Sequence, residues 1–372
     1  MHKPKEFLFL TLKIFSSTGG IEKVCRIAGK ALNEIGETNE FQVKIFSLHD
    51  KTSDIDERYF SRNCFAGYEG KQVKFVLQSI MQGRKSDAVF LSHINLLPVG
   101  YFIKCFSPTT KLILFAHGIE VWGRLGKWKR KMLKKCDLIL PVSSFTKQIM
   151  SENLDLPGNK FIVLNNCLDP FLAIPVIEDR ESTREKYNLT VDNKVLLTLT
   201  RFSNNEIYKG YDKVLAAVAI LKKEYPGIRY LLAGKCDDDC KIKIQENIRQ
   251  LGIEENTIFT GFIPDEQLAG LFSIADLFVM PSMKEGFGIV FIEAMNYGLP
   301  VIAGNKDGSV DALLKGELGT LVDPESQKEI NDAINRILKN RDAYMPERQK
   351  VIDNFSYPVY KEKLKKIIGE AK

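Results

Sequence analysis

No apolar run in the 372 residues approaches the roughly 18 needed to span a bilayer, so any membrane contact is expected to be peripheral. Low-complexity tracts and internal repeats are missing, and the composition excludes collagen-like and disordered classes. A disulfide framework is not expected either. The seven cysteines, Cys25, Cys64, Cys105, Cys136, Cys167, Cys236 and Cys240, are scattered, odd in number and mostly set in apolar runs. They read as reduced thiols of a cytoplasmic protein. The stretch from Lys3 and Lys5 through Phe7 to Leu12 imitates a signal peptide. Lys13 interrupts it and no small-residue cleavage site follows, so it is expected to be a first strand. Strong charge of one sign is lacking as well: 53 Lys and Arg stand against 47 Asp and Glu, a net +6, far from a dedicated nucleic-acid binder.

What is present is a globular chain, 44% hydrophobic and 27% charged, long enough for two compact units. Its positive charge lies in front: residues 1–170 hold 25 basic and 16 acidic side chains, the remainder 28 and 31. Short strand-like runs alternate with amphipathic helical segments, which predicts parallel sheets covered on both faces. The first series of strands is read at Phe7–Lys13, Phe41–Phe46, Ala88–Ser92, Lys111–Phe115, Asp137–Pro141 and Phe161–Leu164. A polar stretch, Glu178–Asn193, reads as a hinge. The second series follows at Val195–Thr200, Arg229–Ala233, Thr257–Thr260, Ala275–Met280, Pro300–Ala303 and Gly319–Val322. The expected architecture is α/β, two doubly wound Rossmann-like domains facing across a cleft: residues 1–177, then 178–355, with a helix in 356–372 returning to the first.

Ligands of such sheets sit at the carboxyl ends of strands, so residues just past strand ends carry the functional reading. From Pro281 to Pro300 a strand end runs into a loop with Gly286 and Gly288, and a helix begins near Ile289. Glycines let backbone N–H groups approach closely, and a helix amino end favours an anion such as a diphosphate. Glu285 in the loop and Glu293 one turn into the helix are two carboxylates able to hold sugar hydroxyls. A second constellation, Thr200 to Gly210, places Arg201 and Lys209 after a strand and before a helix, where two cations can neutralise a departing diphosphate without a metal ion.

Together these segments resemble glycosyltransferase family 4, retaining and metal-independent enzymes of the GT-B fold, over nearly the whole chain. The most specific piece is the Glu-x7-Glu pattern of Glu285 and Glu293. Supporting pieces are Phe15 to Gly20 with its Gly19-Gly20 pair, His117-Gly118, Phe259 to Phe262, and Val163 to Asp169, where Asn166-Cys167 departs from the more usual turn. The resemblance implies that Arg201 and Lys209 hold the donor diphosphate, Glu293 the ribose and Glu285 a hydroxyl of the donor sugar. It places the amides of Gly20 and of Phe287, Gly288, Ile289 and Val290 against phosphates and sugar, and His117 beside the donor sugar. The activity implied is transfer of a hexose from a nucleotide-diphosphate sugar to a saccharide acceptor, lipid-linked, in surface polysaccharide (capsule or lipopolysaccharide) synthesis. An epimerase or hydrolase on the same fold, and a sugar-nucleotide sensor without turnover, are the competing readings.

Three patterns are set aside. Asp237-Asp238-Asp239 contains an Asp-x-Asp, but Asp239 precedes a helical segment and can cap it, so no metal and no cofactor are expected. Cys236 and Cys240 lack the further ligands of a zinc site. Thr18-Gly19-Gly20 is not a dinucleotide fingerprint. The run from Trp122 to Lys135 holds seven basic residues and both tryptophans. It reads either as a surface for anionic lipid at the inner face of the cell membrane or as a solvated helix whose Leu125, Met132 and Leu133 face the core.

Overall fold

The computed structural model describes residues 5–39, 41–154, 156–172 and 177–370; Lys3 of the signal-like stretch lies outside them. The chain divides into two compact units, Met1–Pro170 with Ser356–Lys372, and Phe171–Phe355.

The first unit is a six-stranded parallel sheet in the order β3-β2-β1-β4-β5-β6. Its strands are β1 (Lys5–Thr11), β2 (Phe41–Ser47), β3 (Phe65–Gly67), β4 (Ala88–Leu91), β5 (Lys111–Ala116) and β6 (Leu138–Pro141). Its helices are α1 (Gly20–Asn39), α2 (Gln72–Gly83), α3 (Leu97–Phe106), α4 (Ile119–Trp122), α5 (Lys127–Leu133) and α6 (Ser144–Leu154). Burial on both faces explains why β1, β4, β5 and β6 read as nearly continuous apolar runs, whereas β2 alternates. Phe7 and Phe9 point into one cluster with Ile27, Ala31 and Leu32 of α1, while Leu8 and Leu10 point into the other with Phe75 of α2 and Ile103 of α3. Each such buried side chain contributes about 1.5–3 kcal/mol.

The second unit repeats the plan in the order β12-β11-β10-β7-β8-β9. Its strands are β7 (Lys194–Leu199), β8 (Ile228–Ala233), β9 (Thr257–Gly261), β10 (Leu277–Met280), β11 (Val301–Gly304) and β12 (Thr320–Val322). Its helices are α7 (Ile177–Lys186), α8 (Tyr211–Leu221), α9 (Asp238–Leu251), α10 (Leu268–Ile274), α11 (Ile289–Asn296), α12 (Ser309–Ala312), α13 (Gln327–Lys339) and α14 (Arg348–Phe355). Local sequence explains α13 well: the Ser326 hydroxyl accepts the Glu329 N–H at its amino end, and Ile330, Ala333, Ile334, Ile337 and Leu338 form its buried stripe. The last helix, α15 (Tyr357–Glu370), belongs to the first unit. Tyr360, Leu364, Ile367 and Ile368 join the α1 cluster, and Glu34 of α1 accepts from Tyr357 Oη and Lys361 Nζ, each at 2.9 Å.

Four details differ from the sequence reading. Phe161–Leu164 is no strand; only Phe161 bridges Ile139. The sheet therefore ends at β6 on that side, and its sixth strand is three-residue β3 at the opposite edge, beside β2 and too short to show a period. The polar stretch Glu178–Asn193 opens with α7, which packs on α10 within the second unit, Arg184 Nη1 donating to the Ile274 carbonyl at 3.3 Å. From Arg180 to Lys186 no side chain of α7 is fully buried, which is why its sequence imitates a linker. Finally, Asp237 rather than Asp239 stands at the amino-cap position of α9, with Asp238 and Asp239 in its first turn. Among the described residues no helix is long and apolar enough to cross a membrane, and no three His, Cys, Asp or Glu side chains are grouped to hold a metal ion.

Candidate functional site

In each sheet the strand order reverses about a central pair, β1 and β4 in the first, β7 and β10 in the second. The loops leaving such a pair diverge and open a crevice at the carboxyl edge. The β7 loop carries Arg201 and Lys209, and the β10 loop carries Glu285 to Gly288, so the sequence-predicted residues of the second unit converge on its switch point. The two loops are tied by the Met283 N–H donating to the Tyr208 carbonyl at 2.9 Å.

Lys209 Nζ is ion-paired and hydrogen-bonded to Glu285, with only 13% of the Lys209 side chain exposed. Burial, the largest single influence, works against the ammonium, but the Glu285 charge and hydrogen bond, with Tyr208 and Glu206, together outweigh it and the Lys209 pKa is raised. Arg201, 66% exposed, is gripped in bidentate fashion by Glu206, Nε to Oε2 at 2.8 Å and Nη2 to Oε1 at 2.9 Å. Burial pushes the Glu206 carboxyl up, yet Arg201 and then Lys209 pull it below its ordinary value. The result is a line of alternating charge, Arg201, Glu206, Lys209, Glu285, along the crevice. Glu206 and the Tyr208 ring, 5.6 Å from Lys209 Nζ and 5.8 Å from Lys284 Nζ, were not singled out from sequence.

The β10 loop turns into α11 through Gly288, whose φ of +85° is left-handed and whose missing Cβ would meet the Phe291 ring. That turn leaves the amides of Ile289 and Val290 at the helix amino end. Glu293 is buried within α11, and its charge adds to burial in pushing the Tyr297 hydroxyl up.

Asp307, past β11, is the residue that fixes this loop, and sequence reasoning missed it. Its Oδ2 accepts the Glu285 N–H at 2.7 Å and its Oδ1 the Ser309 N–H at 2.9 Å, while the Gly308 N–H donates to the Glu285 carbonyl at 2.8 Å. A Cβ on Gly308 would strike the Gly286 carbonyl, so the two loops pass backbone against backbone. The available signal was position alone: an acid followed by glycine just beyond a strand. Burial, the largest cause, raises the Asp307 pKa to about 6. A raised carboxyl means that the native state holds its proton more tightly than the unfolded chain. The contribution to stability is therefore present at low pH and lost as pH climbs from about 4 through 6, by at most about 3 kcal/mol. Denaturant unfolding of wild type minus Asp307→Asn should show this fall between pH 4 and 6; a difference that is flat or rises with pH would contradict it.

In the first unit the corresponding edge is built by Asp50, fully buried after β2. Its carboxylate accepts the N–H groups of Ile14 (2.7 Å), Phe15 (3.1 Å) and Ser16 (2.6 Å), as well as the Ser47 hydroxyl. Arg26 closes the same loop from α1, Nη1 to the Ile14 carbonyl at 3.1 Å. This holds the segment leading to Gly19 and Gly20, where α1 begins; a Cβ at Gly20 would meet nothing within 4 Å. His117, past β5, stands at the same edge. Its Nε2 lies 2.7 Å from the Ser92 carbonyl past β4, its backbone N–H donates to Glu120 at 2.6 Å, and its Nδ1 is buried without a hydrogen-bond partner. Bonding to a carbonyl places the proton on Nε2, which leaves Nδ1 as an acceptor. The Val163 to Asp169 turn is anchored by Tyr59 Oη donating to Asp169 at 2.6 Å.

Two parallel six-stranded sheets with loops of this kind at their carboxyl edges define a two-domain, Rossmann-like α/β protein of the GT-B type. A solved structure of Anabaena Alr3699/HepE in complex with UDP and glucose superposes with a TM-score of 0.77 at 18% identity, covering 98% of this chain and 100% of that one. Residues 179–355, the greater part of the second unit, match the family model of glycosyl transferases group 1. Curated relatives include mannosylfructose-phosphate synthase of Agrobacterium fabrum, 27% identical over 57% of this chain and 47% of that protein. Another is the GDP-mannose-dependent alpha-(1-6)-phosphatidylinositol monomannoside mannosyltransferase of Mycolicibacterium smegmatis, 28% identical over 61% of each chain. The chain thus spans about half to three-fifths of the length of these relatives. The second unit is thus similar to group 1 glycosyl transferases, and the whole chain shares its fold with the solved neighbour.

Proposed function

We propose that this protein is a retaining glycosyltransferase that moves a hexose from a nucleotide-diphosphate sugar to a saccharide acceptor carried on a lipid, in surface polysaccharide assembly. The observation that carries the reading is the buried Lys209–Glu285 pair at the switch point of the unit that matches the family. Diphosphate oxygens compete with Glu285 for the Lys209 ammonium, and the carboxylate so released accepts from a hydroxyl of the donor sugar. Arg201 and the amides opening α11 share the charge that grows on the diphosphate as the glycosidic bond breaks. Glu293 serves the ribose, and Gly20 and His117 of the first unit serve the donor sugar, the His117 Nδ1 lone pair accepting a hydroxyl. The acceptor hydroxyl attacks the face from which the diphosphate departs and gives that phosphate its proton, which retains configuration and needs no carboxylate nucleophile. The named mannosyltransferase, which works from GDP-mannose on a phosphatidylinositol mannoside, supports a lipid-borne acceptor. The neighbour bound to UDP and glucose supports a nucleotide-sugar donor.

A screen of nucleoside diphosphates for thermal stabilisation names the donor base, because a tight ligand raises apparent stability by mass action. Transfer from the matching sugar nucleotide, followed with and without acceptor, tests the reaction: free sugar released without acceptor would mean a hydrolase, and binding without turnover a sensor. Since cations and a helix end do the work of a metal in this scheme, turnover should survive exhaustive chelation. Loss in EDTA with recovery in magnesium or manganese would defeat the metal-free reading and return attention to Asp237–Asp239.

A further inference from the structure

The first unit exposes an apolar face that the sequence reading did not contain. On α2, Val73, Leu77 and Met81 are 75%, 57% and 64% exposed. Spaced four apart, they form one stripe on the side opposite buried Phe75, Ser79 and Gly83. The neighbouring α3 exposes Phe102 and Phe106, again four apart, and α5 exposes Trp128. These helices are continuous in space: α2 packs on α3 and α3 on α5, Arg84 lies 5.6 Å from the centre of the Phe106 ring, and Lys131 lies 5.5 Å from that of Trp128. A monomer has no packing use for such side chains in water.

The charge around them says what covers them. From Lys71 to Cys136 the chain carries 13 Lys and Arg and only two acids, Asp87 and Glu120. Lys71, Lys74, Arg84 and Lys85 lie on or next to α2 in the chain, and Lys127, Lys129, Arg130 and Lys131 flank Trp128 in α5. A second copy of the chain meeting this face would set lysine against lysine. A bilayer of anionic lipid meets both properties at once, headgroups taking the ammonium groups while Leu, Met, Phe and Trp enter the boundary with the acyl chains.

We propose that α2, α3 and α5 form one docking face for an anionic membrane, with apolar anchors on α2 and α3 and the charge divided between α2 with its flanks and α5. The proposal stands on this surface alone, apart from the reading of the reaction. The full chain should co-sediment with vesicles of phosphatidylglycerol and phosphatidylcholine, far less with phosphatidylcholine alone, and less in high salt. Changing Val73, Leu77 and Met81 together to Ser should cut binding at least tenfold, as should Lys127, Lys129, Arg130 and Lys131 to Gln, with melting temperature and nucleotide binding unchanged. Transfer to a water-soluble acceptor should stay normal in both variants, and its absence in wild type would count against the reaction and not against docking. Vesicle binding that survives the triple Ser change overturns the anchor. Wild-type self-association in solution that the triple Ser change abolishes would make the face an interface between copies and overturn the proposal.

Discussion

Lys209→Ala should slow hexose transfer by about 100- to 1,000-fold, roughly 3–4 kcal/mol at the transition state, the usual cost of removing one preorganised donor from developing charge. The effect has two parts. The ammonium that meets the diphosphate is gone, and Glu285 loses the cation that holds its side chain in a crevice where it is only 19% exposed. The fold should survive, because Lys209 lies in a loop and its pair sits at the carboxyl edge rather than in a core. Arg201→Ala should act in the same direction, and its loss also leaves the half-buried Glu206 carboxylate with the Ser203 hydroxyl and the Lys209 charge in place of its bidentate partner. Steady-state kinetics on variants whose circular dichroism matches wild type decide the matter. Turnover within a few-fold of wild type for both would remove the diphosphate assignment.

Asp50→Ala should destabilise the first unit by on the order of 4 kcal/mol, since three backbone N–H groups and a hydroxyl lose their acceptor at a buried site. A substitution of that size is outside the ordinary surface range and rests on one mechanism, unsatisfied buried donors. Asp50→Asn is the informative companion: the amide keeps one oxygen but turns an N–H2 toward the backbone donors, so it should recover only part of the loss. Denaturant unfolding of both variants measures it. Loss below about 1 kcal/mol in the Ala variant would show that the Ile14 to Ser16 loop finds other partners.

The residues legible in the sequence are those whose chemistry and position coincide locally. Arg201, Lys209 and Glu285 are charged side chains within ten residues of a strand end, and Gly288 marks a turn that only a left-handed residue makes. Strands such as β4, β10 and β11 were legible because burial on both faces leaves no polar interruption, and β2 because its buried and polar residues alternate. Asp50 and Asp307 were not legible. Each acts on the backbone of a loop more than twenty residues away, and no local pattern distinguishes such an acid from a solvated one. Strand β3 escaped because three residues carry no period. Helix α7 escaped because it is charged along nearly its whole length. The α2 stripe was invisible for the opposite reason: exposed Val, Leu and Met at helical spacing look the same in sequence as buried ones.

Helix α15 gives the molecule an order of assembly. The strands of the first unit leave the ribosome before the second unit, yet the face of α1 that takes Tyr360, Leu364 and Ile367 is sealed only by residues that follow the second unit in the chain. The second unit is unbroken in the chain and can close while still tethered. During synthesis the amino-terminal sheet therefore waits, with one flank of its core open, for the whole of its neighbour to emerge. Of the two units, the one made earlier is the one that completes folding second.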